Sequence, residues 1–163
     1  MSYKYCLYEY IEGIQYRRDE YKNESKNNDF DLGKVKAFNN AVVKIKTLLS
    51  ENNLLSMTKM KPEDDEHLKQ HKSIMVFNID TDIDTNEEKL AEITKKFIVQ
   101  VQELYNNLVG KEDLLSEGEM FGYHDVLDML ENDLNSFEYR GILKNFNISI
   151  PISLNKKVNI SKL

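Results

Sequence analysis

Apolar residues recur along this chain with a helical period in four places. The most regular stretch runs from Gly118 to Phe137, where Met120, Tyr123, Leu127, Leu130, Leu134 and Phe137 alternate at spacings of three and four. Val126 widens the stripe. This is the pattern of an amphipathic helix with one face on a core. Ser116 followed by Glu119 reads as a capping box and sets the helix start near Glu117. An earlier helix over 3–24 carries Tyr3, Leu7, Tyr10, Ile14 and Tyr21 on one stripe, with Cys6 and Ile11 beside it. Tyr5, Tyr8 and Tyr16 fall around it, where rings are covered and hydroxyls stay wet. A helix over about 32–51 uses Val35, Phe38, Val42, Ile45 and Leu49, with Asp29 or Asp31 as its cap. Another follows the capping box Thr85 to Glu88 and aligns Leu90, Ile93, Phe97, Val101, Leu104 and Leu108. Gly110 stands where a C-terminal cap belongs.

Two segments follow strand patterns instead. Ser73 to Asp80 is short, apolar and partly β-branched, and Phe146 to Ser153 alternates isoleucines with Asn and Ser. Pro151 assigns the second to a sheet edge, and Asn155 to Ile160 reads as a further short strand or an extended tail. Residues 52–72 are the least regular, with Leu54, Leu55, Met57 and Met60 lying on the core and Pro62 opening a polar run. The expected fold is mainly α, in the α+β sense. It is a single domain over 1–163 with four amphipathic helices and a minor sheet of two or three short strands. Phe77-Asn78-Ile79 and Phe146-Asn147-Ile148 each follow a pair of helices, so the chain also reads as helix, helix, strand twice over, a degenerate duplication. Laying Gly118 over Gly33 places Gly122 on Ala37 and Tyr123 on Phe38. Two helices obeying one period also match this well by chance.

Charge adds a polarity to this pattern. The net charge is −6 and the sequence pI is about 5.2, which argues against general binding to nucleic-acid backbones. Within residues 34–46 the charges are Lys34, Lys36, Lys44 and Lys46, whereas residues 112–138 carry only Asp and Glu. Asp125, Asp128 and Glu131 lie opposite the apolar stripe of the last helix. The plain reading is a solvated face; the functional one is an acidic docking surface for a protein partner. Opposite charge also favours placing the two helices side by side, within one chain or across the interface of a homodimer. A single cysteine, Cys6, permits no internal disulfide. Without a signal peptide or a membrane-spanning run, the expected location is the cytoplasm. Abundant Lys, Asn and Ile suggest an AT-rich bacterial or phage source.

Candidate chemistry is thin. His67 and His71 are four apart, as in two-histidine metal sites, but Leu68 occupies the position where a zincin needs Glu. His124 or Asp125 would have to supply a third ligand. The run from Asp80 to Asn86 starts like a calcium loop, yet Thr85 replaces its glycine and Ala91 its terminal glutamate. Cys6 sits on an apolar stripe, where a thiol is packing rather than a nucleophile, and nothing beyond coexistence pairs it with His124. No glycine-rich phosphate loop occurs. No catalytic residue, metal or cofactor is therefore assigned. The expected function is a small acidic protein acting by macromolecular binding, such as an immunity, inhibitor or regulatory protein. The alternative is a metal-dependent enzyme or metal-binding bundle built on His67, His71 and His124.

Overall fold

The computed structural model describes residues 2–25, 28–60, 74–79, 87–151 and 156–163, with residues 57–60 and 74–76 as backbone. The chain is mainly helical with a small antiparallel sheet: α1 (Tyr3–Glu24), α2 (Asp29–Glu51), β1 (Leu55–Met60), β2 (Ile74–Ile79), α3 (Glu87–Asn106) and α4 (Leu114–Ser136). A 3₁₀ turn follows at Arg140–Leu143. The four apolar stripes do form the core. Leu127, Leu130 and Leu134 of α4 are buried with Phe38, Ile45 and Leu49 of α2 and Ile93, Phe97 and Val101 of α3. Tyr3 and Tyr10 are fully buried, and their hydroxyls are satisfied by Thr94 Oγ1 at 2.6 Å and by the Val126 carbonyl at 2.8 Å. With the polar end paired, each ring acts as a large apolar filler.

Two helix starts lie earlier than the apolar pattern places them. Asn28, not Asp29 or Asp31, caps α2 by accepting from the Phe30 N–H at 2.8 Å. The two aspartates occupy the first turn, where negative charge suits the helix dipole. In α4 the cap is Asp113, which accepts from the Ser116 N–H at 2.9 Å and from Ser116 Oγ at 2.7 Å. Ser116 is thus the residue being satisfied, and the expected capping box with Glu119 does not form. Those same bonds hold the Asp113 carboxyl below its ordinary value. The Thr85 capping box lies outside the described residues. Gly110, with φ +94°, does stand in the turn after α3.

Helices α2 and α4 make the most intimate contact. A methyl group at Gly33 would overlap the Leu115 carbonyl and come within 2.6 Å of the Glu119 nitrogen. At Gly118 it would overlap the Phe30 carbonyl, and at Gly122 it would meet the Ala37 methyl and stand 3.1 Å from the Lys34 carbonyl. Contacts advance together along both chains, so the two helices run parallel through this crossing. The positions that align in sequence, Gly33 with Gly118 and Ala37 with Gly122, also lie against each other here. Absence of a side chain on both sides is what lets the backbones approach this closely.

The sheet differs from the one the sequence suggests. β1 falls in the stretch that looked irregular and pairs antiparallel with β2, from Leu55 opposite Ile79 to Met60 opposite Ile74. Phe77 faces inward, against the Tyr8 ring at 4.8 Å and under the Lys46 ammonium at 4.8 Å. The expected strand from Phe146 forms no ladder over 146–151. Side chains occupy its backbone instead. Gln102 Nε2 donates to the Asn147 carbonyl at 2.9 Å and the Ser149 carbonyl at 3.3 Å, and His124 Nδ1 donates to the Ile150 carbonyl at 2.8 Å. Further on, Asn106 exchanges two bonds with Val158, at 2.7 and 3.1 Å. Ile148, Ile150 and Val158 are buried. Residues 146–151 and 156–163 are therefore an arm laid on α3 and α4, and among the described residues of this arm no strand ladder forms.

Replacing Gly118 by Ala places a methyl group against backbone, which cannot rotate away. A loss of about 3 kcal/mol is expected in urea unfolding. Gly141→Ala, whose methyl group meets nothing within 4 Å, should change stability by under about 0.5 kcal/mol. Equal losses for the two variants would show that the close crossing is not required.

Candidate docking site

The outward face of α4 is one stripe in which Leu114, Glu117, Phe121, Asp125, Asp128 and Asn132 follow at helical spacing. Its two ends differ in character. Toward the helix start, Leu114 is 58% exposed and Phe121 39% exposed. The Phe121 ring packs edge-on against Phe30 of α2 at 5.3 Å. One turn on, Asp125 and Asp128 line a cleft of ≈ 160 Å³ with Arg17 and Tyr21 of α1, Phe38 of α2 and Met129. Tyr21 meets Phe38 edge-on at 5.4 Å. The Lys34 ammonium lies 4.4 Å from the Tyr21 ring and 5.4 Å from the Phe30 ring, which joins the apolar end to the cleft.

The cations nearest the cleft have other partners. Lys34 pairs with Asp31 at 3.4 Å and Arg17 with Glu20 at 3.8 Å. Asp125 and Asp128 make no ion pair among the described residues; Asp128 accepts only from Asn132, at 3.3 Å. Burial pushes the Asp125 carboxyl above its ordinary value, outweighing the pull of His124, Lys34 and Arg17. Glu131 stands apart from this pair, because Arg140 Nε holds its carboxylate at 3.3 Å. The same guanidinium donates to the carbonyls of Leu143 and Phe146, both at 3.2 Å. Of the three predicted docking residues, two thus share the cleft and the third anchors the turn that follows α4.

The two matched helices share an opposite-charge contact beside their close crossing. Lys36 Nζ lies 3.1 Å from Glu119 Oε2. Glu119 is buried, and its other oxygen accepts from the Tyr123 hydroxyl at 2.8 Å. That hydroxyl accepts in turn from Asn40 Nδ2 at 2.8 Å. Glu119 therefore belongs to the crossing, not to the solvent-facing acids.

The metal alternative rests mostly on residues that the structure does not describe. His67 and His71 lie outside the described residues, as does most of the calcium-like run. His124 is committed to the C-terminal arm through Ile150. No group of three or more His, Cys, Asp or Glu converges among the described residues. Cys6 is fully buried with its thiol toward the Asp133 carbonyl at 3.8 Å, and burial pushes it up to about 12, well away from a reactive thiolate. Among the described residues no helix is long and apolar enough to cross a membrane. Compared with protein-family models, curated proteins and solved structures, the chain matches none.

Leu114 and Phe121 escaped the sequence reading, although both are apolar residues on the acidic side of their helix. Arg17, Tyr21 and Phe38 join the cleft through packing between helices, which no spacing along one helix reveals.

The upward shift of Asp125 has a defined sign. The folded chain holds this proton more tightly than the unfolded chain. The site therefore favours folding most below the ordinary value of 3.8, and loses that advantage as pH rises through the folded value. Asp125→Asn should accordingly be more stable than the wild type at pH 7, with the difference closing below pH 3.8. Urea unfolding at both pH values checks this; an Asn variant that is weaker at pH 7 would mean the carboxylate is engaged within the chain.

Proposed function

We propose that this chain acts by binding another protein, and that Asp125 and Asp128 are its principal docking groups. The observation that carries the reading is a pair of carboxylates, one turn apart, lining a cleft with aromatic walls and lacking an ion pair among the described residues. A carboxylate kept partly desolvated costs stability, a cost expected of a binding group rather than of a merely solubilising one. A Lys or Arg side chain of a partner would remove that cost by pairing with it. Its methylenes would lie against Tyr21 and Phe38. Glu131, neutralised by Arg140 and outside the lining of this cleft, is left out of the proposed docking pair. A small acidic protein working this way fits an immunity, inhibitor or regulatory role, in keeping with a cytoplasmic protein of a bacterium or phage.

Affinity purification from the native host, using the wild type beside Asp125→Lys with Asp128→Lys, tests the reading. A partner retained by the wild type and depleted at least about tenfold by the double variant is expected, since a like charge at each position replaces an attraction with a repulsion. Undiminished capture by the double variant would make these acids a solvated surface only.

A further inference from the structure

We infer that the partner segment received by this chain is a basic amphipathic helix lying along α4, with apolar residues on Phe121, Phe30 and Leu114 and Lys or Arg residues on Asp125 and Asp128. The inference rests on the docking reading above and adds to it the shape and composition of the partner. Its basis is the continuity of two surfaces. Phe121 and Asp125 are four residues apart on one face of α4. Lys34 touches the rings on both sides of the boundary, Phe30 and Tyr21. From Leu114 to Asn132 the stripe extends about 27 Å at the rise of an α-helix, room for some five turns of a second helix.

Each half selects a different feature of the occupant. Exposed Phe121, packed edge-on against the half-buried Phe30 and on one face with exposed Leu114, makes an apolar patch of the kind that marks contact sites. Such aromatic anchors supply most of the affinity in helix-on-groove recognition. The carboxylates Glu117, Asp125 and Asp128 on the same stripe select positive charge. A segment that places apolar and basic residues one turn apart on a single face satisfies both, and a regular helix does this with a three- or four-residue spacing. A second copy of this chain would bring the same three carboxylates to the interface, and an anionic membrane would bring phosphates; both face like-charge repulsion.

The test uses three synthetic 18-residue peptides with the full-length protein. One contains Leu and Lys in amphipathic helical order, one has the same composition scrambled to break the period, and one has Glu in place of Lys. Fluorescence anisotropy should show binding of the first, with the other two at least about tenfold weaker. Phe121→Ser should weaken the first by about tenfold, and Asp125→Asn with Asp128→Asn should weaken it similarly and flatten its salt dependence. Unfolding curves on the same variants establish that they are folded. Ordered and scrambled peptides binding equally would overturn the inference while leaving an acidic docking cleft in place. Binding insensitive to the double Asn variant would overturn both readings. No binding of the ordered peptide, or a wild-type dimer in sedimentation that Phe121→Ser dissociates, would also overturn the inference, the latter assigning this face to a second copy.

Discussion

The contact on which this structure depends is the meeting of two backbones at Gly33, Ala37, Gly118 and Gly122. With side chains absent or minimal between the axes, α2 and α4 approach closely enough for backbone atoms to touch. Dispersion over such a contact is individually weak and collectively large. Its geometry also dictates what lies at the borders. Phe30 has its backbone against Gly118, so its ring must project to the rim, where it finds Phe121. The aromatic pair at the rim is thus a by-product of a contact with no room for it. On the other side of the crossing, Lys36 and Glu119 are brought within ion-pairing distance.

That buried carboxylate would be costly alone. It is tolerated because Lys36 neutralises it and because the Tyr123 hydroxyl, itself held by Asn40, satisfies a second oxygen. The chain of contacts from Lys36 through Glu119 and Tyr123 to Asn40 begins and ends on α2. It fixes the register of α4 along its neighbour in a way that apolar packing, which tolerates sliding, does not.

Much of this architecture is legible from periodicity. Residues whose role is decided locally were placed well: the stripes through Leu49 and Leu134, the strand around Phe77, and the turn at Gly110, while Phe137, read as the end of its stripe, is the half-buried C-cap of α4. Misreadings arose where a partner distant in sequence decides the outcome. Phe146 to Pro151 has the composition of a strand, yet its carbonyls go to Gln102 and His124, and no alternation in the segment announces that. Glu119 read as half of a capping box because its actual partner, Lys36, lies far away in the chain. The cap of α4 was misplaced because Asp113 precedes the apolar stripe and Ser116 mimics a cap by itself. In the candidate site, Asp125 and Asp128 stood out through charge, whereas Glu131 resembled them equally and is occupied by Arg140.

The arm after the 3₁₀ turn has a consequence of a different kind. Its carbonyls are held by the amide and imidazole donors of Gln102, Asn106 and His124, while Ile148, Ile150 and Val158 fill buried positions. Those are the terms on which a receptor holds an extended peptide: main chain for affinity, alternate side chains for specificity. The helices therefore form a peptide-receiving surface whose ligand happens to be covalently attached. Such an arrangement lends itself to fragment complementation, in which the helical body and the arm are supplied as separate chains. Covalent connection then contributes chiefly effective concentration, and the exposed positions Ser149, Lys156 and Lys157 are left open to sequence change.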